Sequence, residues 1–223
     1  MKVFRISLIA LLLAISSYSS AGSPVGSAYI DGGDSKNGVI LAHGKGKYPT
    51  WLVVDPLRKG INKQLGYHTL SLQLPTGYSH WKDYAEGFPD AYQTIREAIA
   101  FLKNEKGVSR VFLIGHSMGS RMASAFVSEN SNHGLVGLVV AGCRNNGGHQ
   151  LSCDENLQGV SLPVLDIWGG NNGKDSRSAS ERSGMISATY TQIEISEANH
   201  KFEGDEHEYE LVDAVVSWLK SQK

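Results

Sequence analysis

The chain has 223 residues, 41% hydrophobic and 19% charged, with a formal charge of −1. That length suits one domain with a sizeable core, and the composition excludes a disordered acidic tail or a low-complexity chain. The charge balance argues against a general nucleic-acid binder, while 25 glycines against 6 prolines point to many tight backbone turns.

The first residues read as an address rather than as part of a fold. Lys2 and Arg5 precede an almost wholly apolar run, Ile6 to Ile15, and small residues end at Ser19-Ser20-Ala21. A charged start, a short apolar stretch and a small-x-small site are the pattern of a cleaved signal peptide. The run is well short of the ~20 residues of a spanning helix. Residues 1–21 are therefore expected to be removed, with Gly22 as the new N-terminus and no stable membrane anchor. Their loss takes away Lys2 and Arg5 and no acid, moving the charge from −1 to −3. Export to the periplasm or the medium also changes the meaning of Cys143 and Cys153, the two cysteines of the chain. In an oxidising compartment, such a close pair around a loop-like stretch reads as a local disulfide.

From residue 38 onward, strand patterns alternate with helix patterns. Val39 to Ala42 is a short apolar run ended by His43-Gly44. Asp55-Pro56 resembles a helix start, with Gly66 as the stop. Tyr67 to Leu74 alternates as a strand should, and Pro75 to Gly87 reads as loop. Phe88 to Lys106 has Ala91, Ile95, Ala98, Ile99 and Leu102 on one helical face. Val111 to Ile114 is a continuous apolar run, as in a buried parallel strand. Met118 to Asn130 reads as helix, Leu135–Ala141, Val164–Trp168 and Thr189–Ile195 as strands, and Glu206 to Lys220 as a last helix. This alternation predicts an α/β fold, a mostly parallel sheet with helices on both faces, forming one domain over residues 22–223.

The reactive residues fall at the turns. Gly115-His116-Ser117-Met118-Gly119 fits G-x-S-x-G, and it stands where an apolar strand runs directly into a helix of small residues. A strained turn of that kind lifts a serine hydroxyl above the sheet edge and leaves helix N–H groups free for a developing oxyanion. Serine needs a base, and His200 lies in the loop between the last strand and the last helix. The loop after the first strand, His43-Gly44-Lys45-Gly46, is placed to turn a backbone N–H inward, that of Lys45.

These features, in the order strand–His-Gly, Gly-His-Ser-Met-Gly, Gly-Gly-Asn-Asn and Asn-His-x-Phe, resemble the α/β-hydrolase superfamily over residues 38–222. Within it, the chain is similar to small exported bacterial α/β-hydrolases of unassigned function. The resemblance implies Ser117 as nucleophile, His200 as general base, and the N–H groups of Met118 and Lys45 as oxyanion hole. The acid departs from the family pattern. Where a Gly-x-x-Asp is expected after the penultimate strand, the aligned residue is Asn172. Asp175, three residues on in a glycine-rich loop, is the first candidate. Asn172 as a neutral orienter is the second, and Asp154 a third. The same stretch fails the phosphate-loop pattern, since Trp168 and Asp175 stand where glycine and Ser/Thr are required.

The lid position of such folds leaves only Gly142 to Leu162 here, so a minimal lid and an open site are expected. His43, Tyr78 and Trp81 are candidate pocket residues. The acidic stretch from Glu203 to Glu208 fits the N-terminus of the last helix better than a metal, and neither a metal nor a cofactor is expected. The reading is a serine esterase or thioesterase acting on a small or medium ester, with a non-catalytic hydrolase-fold binding protein of the cell envelope as the alternative.

Overall fold

The computed structural model describes residues 22–222; the expected signal segment lies outside the described residues. Seven strands form one sheet: β1 (Ala28–Ile30), β2 (Asn37–Ala42), β3 (His68–Leu72), β4 (Arg110–His116), β5 (Gly137–Ala141), β6 (Val164–Gly169) and β7 (Tyr190–Ile195). Their order is β1-β3-β2-β4-β5-β6-β7. Every pairing is parallel except that of β1 with β3. The central strand β4 pairs residue for residue with β2 (Ile40 with Leu113) and with β5 (Leu113 with Leu138).

Strand alternation divides the core in two. Ile40, Leu70, Leu113, Leu138 and Val140 point to one face, under α2 (Phe88–Ala100) and α3 (Met118–Glu129). Val39, Leu41, Phe112, Ile114 and Val139 point to the other, under α1 (Val54–Leu65) and α6 (Asp205–Ser221). Central strands buried on both sides must be apolar throughout, which is why β4 reads as a continuous hydrophobic run.

Several expectations shift. α1 begins at Val54, so Asp55 sits inside the first turn, where it pairs with Arg58 (2.5 Å) and Lys59 (2.6 Å). The expected loop before α2 contains a 3₁₀ helix, Trp81–Gly87. The expected single helix of 88–106 is α2 followed by a π-helical turn, Phe101–Glu105. Three helical segments went unforeseen among the described residues: α4 (Cys153–Leu157), α5 (Gly173–Glu181) and a 3₁₀ turn at Ser183–Met185. The expected disulfide is present, joining Cys143 to Cys153 across a separation of ten residues. No helix among the described residues is long and apolar enough to cross a membrane.

Candidate active site

Ser117 stands between β4 and α3 with φ 55° and ψ −112°, a backbone conformation that costs energy for any residue with a side chain. The surroundings enforce it. A Cβ on Gly119 would lie 2.2 Å from the Ala42 carbonyl oxygen, and one on Gly115 would lie 2.5 Å from Ser120 Cα. Only glycine at both positions lets helix, turn and strand β2 close on one another. The Ser117 N–H donates to the Ala141 carbonyl (2.8 Å), which ties the turn to β5.

His200 lies in the segment between β7 and α6. Its Nε2 is 2.8 Å from Ser117 Oγ, and its Nδ1 is 2.5 Å from Asp175 Oδ2. A neutral imidazole satisfies both contacts when Nδ1–H donates to the carboxylate and Nε2 accepts the serine proton. His116, beside the serine in sequence, packs its ring 5.2 Å from that of His200 and donates from Nε2 to the His200 carbonyl (2.9 Å), fixing the backbone at that residue. Burial, and next the nearby His200, hold the His116 pKa down to about 3, so this ring is neutral throughout the physiological range. Gly142, at φ 59°, backs the same imidazole; a Cβ there would lie 3.0 Å from His200 Nδ1.

The Asp175 side chain is fully buried. Burial alone pushes its carboxyl up, but hydrogen bonds and charge from His200 and Arg144 outweigh that and leave it below the ordinary value. Arg144 donates from Nε to Asp175 Oδ1 at 2.7 Å, so the two carboxylate oxygens are taken by two different cation-forming groups. Asp175 occupies the first turn of α5, not a loop. Asn172 is the N-cap of that helix, its side chain accepting from the N–H groups of Lys174 and Asp175 (both 3.2 Å). It presents its oxygen to the helix, not to His200. Asp154 is on α4, bonded to Ser152 Oγ, and has no contact with His200.

Met118 is the first residue of α3, so its N–H has no partner within the helix. Gly44 lies against the serine turn, since a Cβ there would be 3.4 Å from Ser117 Cβ. Lys45 follows it in a turn closed from Lys47 N–H to Gly44 carbonyl (3.2 Å). Ser117, Met118, Lys45 and Trp81 all line a cavity of about 670 Å³. His43 and Tyr78, the other expected pocket residues, do not. His43 is buried as a clamp between strand ends: Nδ1 meets the Gly44 carbonyl (2.9 Å), and Nε2 accepts from Leu74 N–H (3.1 Å). Tyr78 turns into the core edge, its ring 5.1 Å from that of Tyr84.

A family model described as "Protein of unknown function (DUF3530)" matches residues 82–221, from the 3₁₀ helix to the end of α6. The chain belongs to this family. No curated protein matches this DUF3530 chain in sequence. Among solved structures, it is similar to a dienelactone hydrolase from Anabaena variabilis, with a TM-score of 0.71 at 19% identity over 88% of this chain and 91% of that one. It is also similar to Est1E from Butyrivibrio proteoclasticus, solved with ferulic acid bound (0.69, 13%, 88% and 94%). A third is a monoacylglycerol lipase from Paleococcus ferrophilus (0.61, 17%, 88% and 98%). The fold of this DUF3530 member is that of the α/β-hydrolase superfamily.

Sequence reasoning missed the side chains that brace the site of this family member. Arg182 Nε and Nη2 grip the two oxygens of Asp166 at 3.0 and 2.8 Å, both groups buried. Tyr190 and Gln192 of β7 donate to the same carboxylate (2.9 and 3.0 Å), and Arg182 reaches the Cys143 carbonyl (3.1 Å). Strand β6, strand β7, the end of α5 and the disulfide loop are thereby locked together beneath Asp175. The sequence of β6 carried one sign of this, a charged Asp166 in an otherwise apolar strand, but the partner could not be read from spacing.

Proposed function

We propose that the chain is an exported serine hydrolase that cleaves small or medium carboxylic esters or thioesters through an acyl-enzyme. The observation that carries this reading is the continuous hydrogen-bonded series from Ser117 Oγ through His200 to Asp175, at 2.8 and 2.5 Å. As Ser117 attacks the carbonyl carbon, His200 Nε2 takes its proton. The N–H groups of Met118 and Lys45 receive the oxyanion, and the charged Asp175 stabilises the imidazolium and holds its tautomer. Collapse expels the alcohol or thiol, which leaves with the proton from His200. Water then attacks the acyl-enzyme by the same route and frees the acid and Ser117. Solved neighbours that include an esterase from Pyrococcus furiosus, a monoacylglycerol lipase and a dienelactone hydrolase are consistent with this chemistry. The reading as a non-catalytic binding module rested on Asn172 in the acid position, and with a carboxylate against His200 it loses its support. A fluorophosphonate probe tests the proposal: wild type should label and Ser117→Ala should not, whereas an unlabelled wild type would overturn it.

The same proposal takes residues 1–21 as a cleaved leader and 22–223 as the mature single domain, in the periplasm or the medium. The Cys143–Cys153 bridge suits an oxidising compartment. An intact mass of protein purified from the cell envelope or medium should correspond to a chain beginning at Gly22; a mass retaining the leader would refute export by cleavage.

A further inference from the structure

Positive and negative side chains almost balance over the chain, 21 against 22, yet the wall of the Ser117 cavity carries five cations and one carboxylate. The cations are Lys45, Arg121, Arg144, Lys174 and Arg177; the carboxylate is Glu181. Arg144 is committed to Asp175 (2.7 Å). The remaining four pair with no carboxylate among the described residues. Arg121 is 6% exposed, and all its hydrogen bonds go to neutral acceptors: the carbonyls of Asn146 and Leu151 and the Asn146 side-chain oxygen. Its guanidinium also lies 5.1 Å from the Trp81 ring. Stripping water from a guanidinium without giving it a counter-charge is costly, and the field of such a group extends into whatever space it borders.

Lys174 and Arg177 stand on the exposed side of α5, and their side chains make no hydrogen bond or ion pair with any described residue. Three residues apart, they are neighbours on one helical face. Glu181, one turn further, accepts from Asn145 Nδ2 (2.8 Å) and pairs with neither. The positive end of the α5 dipole, at Gly173, adds to the field. The apolar lining is by contrast sparse. Trp81 and Met118 are its only large apolar side chains among the described residues, too little to bury a long acyl chain.

We propose that the substrate is an ester bearing a fixed negative group, a carboxylate or a phosphate, which Lys174 and Arg177 hold against Arg121 while the ester carbonyl lies at Ser117. This rests on the hydrolase reading above. A cavity of about 670 Å³ has room for both the anion and the reacting carbonyl.

The test compares esters that differ only in charge. One pair is mono-4-nitrophenyl adipate and its neutral methyl ester. The second pair has the terminal carboxylate replaced by a phosphate monoester and its dimethyl counterpart. Wild type should favour the anionic member of at least one pair by about tenfold in kcat/KM, and the pair with the larger ratio identifies the anion. Added salt should narrow that ratio. The double variant Lys174→Gln/Arg177→Gln should bring it toward one, whereas Arg96→Gln, a charge removed from α2 away from the cavity, should leave it intact. If wild type cleaves charged and neutral esters equally, or the ratio survives in the double variant, the anion inference is wrong and the hydrolase reading stands. If no ester is cleaved, fluorophosphonate labelling decides the hydrolase reading, and calorimetric titration with adipate and with inorganic phosphate reads the wall directly. Binding lost in the double variant would keep the anion site; absence of binding to wild type, or binding unchanged in the double variant, would overturn it.

Discussion

Asp175 accepts from His200 on one oxygen and from Arg144 on the other. As an amide it could no longer balance an imidazolium, and it would favour the wrong histidine tautomer. Asp175→Asn is therefore expected to lower kcat for 4-nitrophenyl acetate on the order of 10³–10⁴-fold. Full kcat in that variant would remove Asp175 from the mechanism. His116 yields a different kind of prediction. Its folded pKa, about 3, lies below the ordinary 6.5, so between those values the unfolded chain binds a proton that the folded chain refuses. Stability then rises with pH across that window and is lost on acidification, with a slope of ~1.4 kcal/mol per pH unit from this one ring. Urea midpoints measured from pH 4 to 7 should fall less steeply with acid in His116→Gln than in wild type; identical slopes would show that the ring protonates in the fold. Among the individual residues, Ser117 and His200 were legible because the first is marked by a local strand–turn–helix pattern and the second by its place after the last strand. Arg144 and Arg121 were not, since nothing in spacing tells an arginine on a loop or small-residue helix that lines a cavity from one that faces solvent.

Helix α5 decides where Asp175 meets His200, and it is the element that the sequence concealed. Gly-Lys-Asp-Ser-Arg-Ser-Ala-Ser-Glu has no apolar stripe; its buried residues are Asp175, Ser178 and Ala179. A helix that buries polar residues against a loop leaves no 3.6-residue hydrophobic period to detect. What starts it is its N-cap Asn172, the residue at the position where the sequence pattern called for an acid. Asn172→Ala should thus cost about 1 kcal/mol of stability through the lost cap, measured by urea unfolding. Its kcat should fall far less than that of Asp175→Asn. Equal losses of kcat would show that Asn172 acts on His200 after all. The short strand β1 was hidden for a related reason: three half-buried residues pair antiparallel with β3 through tertiary contact rather than through a pattern of their own. The parallel strands were legible because burial on both faces writes itself as an apolar run.

At the scale of the whole molecule, the site has two supports. The sheet and its two apolar layers hold Ser117 and the His200 segment. The disulfide loop and α5 hold the opposite wall, fastened by Arg182 below and Arg121 beside it. Closing a separation of ten residues, the Cys143–Cys153 bridge should contribute about 3 kcal/mol by restricting the unfolded chain. The urea midpoint should drop on reduction, and the Cys143→Ser/Cys153→Ser chain should match the reduced wild type; an unchanged midpoint would mean that the two arginines suffice. The placement of Asp175 also bears on how such a protein can diversify. Lys174, Asp175 and Arg177 ride on one nine-residue helix, so a backbone shift that re-aims the cations of that wall also moves the carboxylate that meets His200. In a selection for new substrates, insertions and deletions should therefore accumulate around Trp81 and the 75–87 segment, while α5 changes only by side-chain exchange at its exposed positions.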